Sequence, residues 1–338
     1  MMRAIRVRAP GGPEVLEHVG IDLPVPAAGE VRVRLEAIGV NFADVMCRRA
    51  THRSMRPPPI VPGCEGAGVI EACGAGVDEI RLGERVGVYA PFGGAYAERL
   101  VVPAVYALPL PPQMPFDAAA AFTHLALTAH EALFDLGRGT AGDVLLVTAA
   151  AGGLGGMVRQ LARAAGLRVI AAVGSPEKRR ALLAEGETDV LVYGAADFGD
   201  AVLAATDGRG VDVVIETVGG PVFEQAQRGL APLGRLVVAG AASGRLAVPD
   251  MAALLDRSAS CAALNLSVAF AHAPGRMHTA WAKLVALHHQ GALRTRIGHR
   301  FALREAADAQ RLLESRASTG KILLDPRADA WQAGTALA

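Results

Sequence analysis

Apolar and polar positions fall into two textures along this chain. Over the first 120 or so residues, apolar positions come in short runs or alternate with polar ones, as in Val31-Arg32-Val33-Arg34-Leu35. Such alternation marks a half-buried strand. Further short strands are expected at 66–70 and 85–89. Glycine and proline break the runs at Gly11-Gly12-Pro13, 24–26, 57–59 and Pro62-Gly63, which predicts an irregular barrel with many turns. The proline-bearing stretch 103–115 reads as a surface connection. From Asp117 the apolar periods lengthen. Asp117 is expected to cap a helix through 118–121, and a second helical stretch, 125–134, stops at Gly137-Arg138-Gly139.

Strand and helix patterns then alternate. Strands are predicted at 144–148, 168–173, 190–192, 211–216 and 235–239. Helical patterns lie between them at 156–165, 176–185, 198–206 and 222–230. That alternation gives a doubly wound parallel sheet, and the whole chain is α/β. Two more helices, near 276–290 and 304–316, flank a strand near 295–301. The end, 330–338, reads as loose.

One stretch carries a specific chemical expectation. Residues 143–155, DVLLVTAAAGGLG, run from a buried strand through a small-residue turn into a helix. The glycines at Gly152, Gly153 and Gly155 let the backbone approach a pyrophosphate, whose charge a helix N-terminus favours. The pattern is A-x-G-x-x-G, and close packing of a helix on a sheet is the alternative. The next strand ends at Gly174-Ser175, followed by Lys178. An NAD-preferring site has a carboxylate near this point. Small, hydroxyl and cationic groups suit a 2′-phosphate instead, so the expected cofactor is NADPH. The alternative is a Ser175 cap on a helix whose Lys178, Arg179 and Arg180 are solvated. Glu177 does not favour the first reading, though it could pair with a neighbouring arginine.

Charge and composition narrow the class. A net charge of +1 with no basic block argues against nucleic acid. No signal-like N-terminus and no run of about 18 uncharged apolar residues is seen, so neither secretion nor a membrane span is expected. The cysteines, Cys47, Cys64, Cys73 and Cys261, form no C-x-x-C pair. A cytoplasmic enzyme with two domains is the expectation.

The chain resembles the zinc-independent quinone oxidoreductases, the zeta-crystallin-like branch of the medium-chain dehydrogenase/reductases. The resemblance is carried by GVNFAD at 39–44, PGCEGAG at 62–68, GAYAE at 94–98, Leu127-Thr128-Ala129, the 149–155 turn, GVDVV at 210–214 and TGKILL at 319–324. It implies a GroES-like catalytic domain over 1–122, completed by 266–338, and a Rossmann domain over 123–265. It places the active site in a cleft between them, and it implies a homodimer. By position it puts Asn41 and Thr128 at the nicotinamide end of the cofactor and Gly152, Gly153 and Leu154 at the pyrophosphate. Ser175, Lys178 and Tyr193 then surround the 2′-phosphate, while Asn265 and Lys321 approach from the returning segment; Gly240 is a further cofactor-binding candidate.

Zinc alcohol dehydrogenases share this architecture. Their ligand positions correspond to Asn41, Cys64 and His124 here. Asn41 is a poor zinc ligand, but Cys64 and His124 could bind metal and Glu65 lies beside one of them, a departure from the branch pattern. No metal is the expectation. Without a Lewis acid, hydride must go to an already electron-poor carbon, in a quinone or in an alkene conjugated to a carbonyl. His52 stands where many relatives carry a tyrosine, so it is the candidate proton donor; the alternative is an inert residue in an exposed loop with Arg53 and Arg56. Phe42, Phe92 and Tyr96 are candidates for the substrate side. A cofactor-binding protein without turnover is the third reading.

Overall fold

The computed structural model describes residues 1–52, 55–194, 197–315 and 317–329. Arg53 and the expected loose end at 330–338 lie outside them. The chain forms two compact units. One comprises residues 1–124, 270–285 and 295 onward; the other comprises 125–269 and 286–294. Gln160 ties the 286–294 segment to the second unit, its side chain bonding both the N–H and the C=O of Arg294.

The first unit is built on a seven-stranded sheet. Its long central strand, Glu30–Val40, pairs antiparallel with Glu65–Cys73, Arg99–Pro103 and Lys321–Asp325. Ile297–Ala302 lies parallel to Lys321–Asp325 at one edge, and Arg85–Tyr89 continues the other side. The alternation at 31–35 is a real inside–outside pattern: Val31, Val33 and Leu35 are buried, and the arginines between them are half-buried. A separate hairpin, Met2–Val7 with Leu16–Ile21, bonds to Tyr96 and Ile60 through Ile5 and Val7.

Two expectations are corrected here. The 103–115 stretch is not a surface connection. Ala107–Pro109 is a strand paired with Arg85–Tyr89, and Tyr106, Leu108, Leu110 and Met114 are buried. Proline is tolerated because Ala107–Pro109 closes an edge of the sheet. Asp117 is also not a cap. One helix, Phe116–His130, spans both expected helical stretches, and a π-helical turn, Glu131–Leu136, carries it to Gly137. Asp117 sits in its first turn and accepts hydrogen bonds from Arg300 at 2.8 and 3.1 Å.

The second unit holds a six-stranded parallel sheet: Val144–Val147, Arg168–Val173, Asp189–Val192, Val211–Glu216, Leu230–Val238 and Ser260–Ala263. Numbered along the chain, their spatial order is 3-2-1-4-5-6. The central strands read as unbroken apolar runs because helices such as Gly153–Ala164 and Pro221–Arg228 cover the sheet. Phe198 and Phe223 are sealed in this core with Leu146, Ile170, Val214 and Leu236. Each buried phenyl ring contributes about 1.5–3 kcal/mol.

Candidate functional site

In the second unit, strand order reverses between Val144–Val147 and Val211–Glu216, and a crevice at the C-terminal ends of the strands is where such sheets bind ligands. The residues there are built for close approach. After Thr148 the backbone turns through Ala149, whose φ is +47°, and Ala150 donates its N–H to Ala172 O at 2.9 Å. Gly152 precedes the helix Gly153–Ala164. A Cβ on Gly155 would lie 2.5 Å from Ala149 O and 2.7 Å from Ala150 Cα, so no side chain fits. One on Gly153 would meet Leu125 at 2.9 Å. The first N–H groups of that helix have no intrahelical acceptor, and Gly152 and Gly153 are exposed. The residues present fit a pyrophosphate.

Two polar residues missed at the sequence level stand at the same point. Thr148 donates to Glu216 at 3.2 Å, and Glu216 also accepts from the N–H groups of Val218 and Gly219 at 2.7 and 3.0 Å. The available signal was a polar residue ending each of two apolar strands. Gly240 follows the next strand, where a Cβ would sit 3.0 Å from Thr217 O.

Strand Arg168–Val173 ends with no carboxylate: Gly174 and Ser175 follow. Tyr193 donates its N–H to Val173 O, and its hydroxyl lies 3.2 Å from where a Cβ on Gly174 would be. Ser175 and Tyr193 are thus gathered at one strand end. Ser175 accepts from Lys178 N at 3.3 Å and caps the helix Pro176–Ala184. Lys178 itself is half-buried. Glu177 pairs with Arg180 at 3.3 Å, both side chains being exposed. Thr128 is buried in the helix Phe116–His130, and Asn265 caps Leu266–His272, its Oδ1 accepting from Ser267 N and Oγ.

The first unit holds a buried polar cluster. The sheet register explains it: Glu65 and Lys321 begin the two strands that flank Glu30–Val40, beside the end where Asn41 follows. Lys321 Nζ donates to Asn41 Oδ1 at 2.6 Å and to Glu65 Oε2 at 2.7 Å, and Asn41 Nδ2 donates to the same Glu65 oxygen at 3.0 Å. The other Glu65 oxygen accepts from His124 N at 2.7 Å. Gly39 makes room, since a Cβ there would lie 2.6 Å from Glu65 Oε2. Asp44 accepts from Asn41 N, Cys64 N and Tyr96 Oη at 2.8, 3.0 and 3.2 Å.

Burial governs the ionisation of this cluster. Asp44 is pushed up to about 6 by desolvation, against the donors from Asn41 and Cys64. Desolvation also carries the Cys64 thiol well above its ordinary range. His124, stacked on Tyr89 at 5.4 Å, is pushed down to about 4 by burial, with the Lys321 charge adding to the shift. Cys64 Sγ and His124 Nδ1 stand 3.8 Å apart. Among the described residues, no group of three or more Cys, His, Asp or Glu is placed to hold a metal ion. An ammonium group takes the Asn41 and Glu65 oxygens instead.

His52 is half-buried rather than exposed. Met55 N–H donates to its Nδ1 at 3.1 Å, which leaves the proton of the neutral ring on Nε2, and burial lowers its pKa below 6.5. Tyr96 does not offer a surface to substrate: it is fully buried, with its hydroxyl on Asp44. Phe42 and Phe92 are exposed.

Comparison with known proteins bears on both units. Residues 27–112 match the alcohol dehydrogenase GroES-like domain, and residues 153–283 match the zinc-binding dehydrogenase family. The chain belongs to the medium-chain dehydrogenase/reductase superfamily, and within it to the quinone oxidoreductases. It is 35% identical to a quinone oxidoreductase of Pseudomonas aeruginosa, over 96% of this chain and all of that one. A quinone oxidoreductase structure from Pseudomonas syringae pv. tomato matches with a TM-score of 0.89 at 33% identity, covering 96% of this chain and 100% of that one. The Escherichia coli quinone oxidoreductase, solved with NADPH, matches at 0.88 and 30% identity over the same shares.

Proposed function

We propose that this protein is an NADPH-dependent quinone oxidoreductase that works without a metal. The observation that carries the reading is the end of strand Arg168–Val173, where Gly174, Ser175 and Tyr193 meet in place of a strand-end carboxylate and Lys178 follows, with the nearby Glu177 paired to Arg180. Bound at this turn, NADPH supplies a hydride. Gly152, Gly153 and Leu154 hold its pyrophosphate. Ser175, Lys178 and Tyr193 take the 2′-phosphate. Gly240 and Asn265 would line its path, and Thr128 would lie toward the nicotinamide end. His52 gives a proton to the reduced acceptor as the imidazolium, a form in which Nδ1 must give up the Met55 N–H; because its pKa is lowered from 6.5, the rate through it is already falling as pH rises toward 6.5.

The metal-free reading is supported by Lys321, whose fixed charge lies against Asn41 and Glu65 and within electrostatic range of Cys64 and His124. A divalent ion there would face that ammonium. A homodimer is supported by the edge strand Ser260–Ala263, which has a sheet neighbour on one side, and by exposed Leu246, Val248, Met251 and Leu255 nearby in the chain. A cytoplasmic site of action is supported by the unpaired thiols. No helix among the described residues is long and apolar enough to cross a membrane.

The test is steady-state oxidation of NADPH and NADH with 1,4-naphthoquinone and with a panel of enones, which offer a comparable electron-poor carbon. Quinone turnover with NADPH preferred is the expected result. Turnover of enones alone would move the assignment to an enone reductase, and cofactor binding with no turnover on either panel would sink the enzymatic reading. Metal analysis of protein prepared without added zinc should find none; one equivalent per chain would overturn the metal-free mechanism.

A further inference from the structure

The helix after the glycine turn carries a buried arginine that the proposed chemistry does not use. Arg159 is 9% exposed, and its Nε donates to Ala150 O at 2.9 Å. Its NH1 pairs with Glu187, which is 4% exposed and also bonded by Arg163. Glu185 lies 3.6 Å from the Arg159 NH2. Glu187 is anchored in turn, because its N–H donates to Leu182 O at 3.0 Å, at the end of the helix Pro176–Ala184.

A peptide unit is planar and trans, so its C=O and the following N–H point in opposite directions. Ala150 is fully buried, and Arg159 holds its carbonyl inward. By that geometry the N–H of Ala151 points away from Arg159, and Ala151, like Gly152 and Gly153, is exposed. Arg159 keeps its place only while a carboxylate neutralises it, since an unpaired buried charge is costly. Glu187 supplies that carboxylate from the far end of the helix whose first turn carries Ser175 and Lys178.

We infer that Arg159, held by Glu187, is a positioning residue for the pyrophosphate turn, orienting the Ala151 N–H toward the bound anion and tying the turn to the helix beside the 2′-phosphate residues. This rests on the reading of residues 149–155 as a dinucleotide site.

The experiment measures Kd for NADPH and NADH by nicotinamide fluorescence, together with kcat at saturating NADPH, in wild type, Arg159→Met and Glu187→Gln. Arg159→Met should weaken NADPH and NADH by the same factor, about tenfold, with their ratio and kcat unchanged. Glu187→Gln keeps the shape and should weaken both by a smaller common factor, about threefold. A role confined to folding would lower the melting temperature and leave both Kd values alone; that result, in either folded variant, overturns the inference. Loss of NADPH affinity alone would also overturn it, because the turn serves the part common to both nucleotides. Should Arg159→Met not fold, Glu187→Gln decides the matter by the same readouts. Wild type that binds neither nucleotide would instead defeat the dinucleotide reading, a failure visible before any variant is made.

Discussion

Glu65 in the first unit and Glu216 in the second are both fully buried carboxylates at strand ends, yet they are held in opposite ways. Glu65 meets a full charge, Lys321, together with the Asn41 amide and the His124 N–H. Glu216 meets dipoles only, the N–H groups of Val218 and Gly219 and the Thr148 hydroxyl, and burial raises its pKa. The first arrangement fixes a cation inside the molecule. The second leaves the strand ends without one and shapes the loop that follows Val211–Glu216. A chain can therefore bury an acid either to retain a charge or to fold a turn, and the partner set tells which.

Substitutions can break that contrast. Lys321→Met should have the largest effect, about 3–5 kcal/mol of lost stability in urea melts, because buried Glu65 loses its counter-charge. Adding Glu65→Gln should recover a large part of it; a double variant as weak as the single one would show that the lysine matters for packing instead. Glu216→Ala should cost less, about 2–3 kcal/mol, since it orphans backbone donors and no ion.

The third experiment uses pH. As pH falls from 6.5 toward 4, an unfolded His124 takes a proton that the buried one refuses, so stability drops. Asp44 acts the other way: its native pKa of about 6 exceeds the ordinary 3.8, so the folded state is protonated first and gains stability as pH falls through that window. The two oppose each other in the intact protein. In His124→Gln, stability should rise by about 2 kcal/mol between pH 6 and 4, measured as a shift in urea midpoint. A falling curve would contradict the Asp44 assignment. The smallest effect sharpens the second unit: Lys178→Ala should reduce the preference for NADPH over NADH by about fivefold in KM, roughly 1 kcal/mol, with kcat held.

Much of the second unit was legible in the chain. Its strands are continuous apolar runs because both faces are covered, and the glycine turn sits between the first strand and the first helix. The strand Ala107–Pro109 was hidden by its prolines, which signal a turn unless the strand lies at an edge. The break expected before residue 125 was absent because nothing after Asp117 stops a helix, and Asp117 was already engaged by Arg300. Individual residues around the candidate site were named, including Asn41, Lys321 and Ser175. Their partners were not: Lys321 and Glu65 stand 256 positions apart, and only the pairing of strands brings them together. The Arg159–Glu187 pair escaped for a related reason, since a glutamate just after a helix reads as solvated until its burial is known.

The buried ammonium has a consequence for anyone wishing to convert this scaffold. Supplying a better ligand at position 41 would not by itself create a transition-metal enzyme. Cys64 and His124 already wait as soft and borderline donors, but Lys321 would repel the incoming ion, so the redesign must begin by subtracting a charge rather than by adding a ligand.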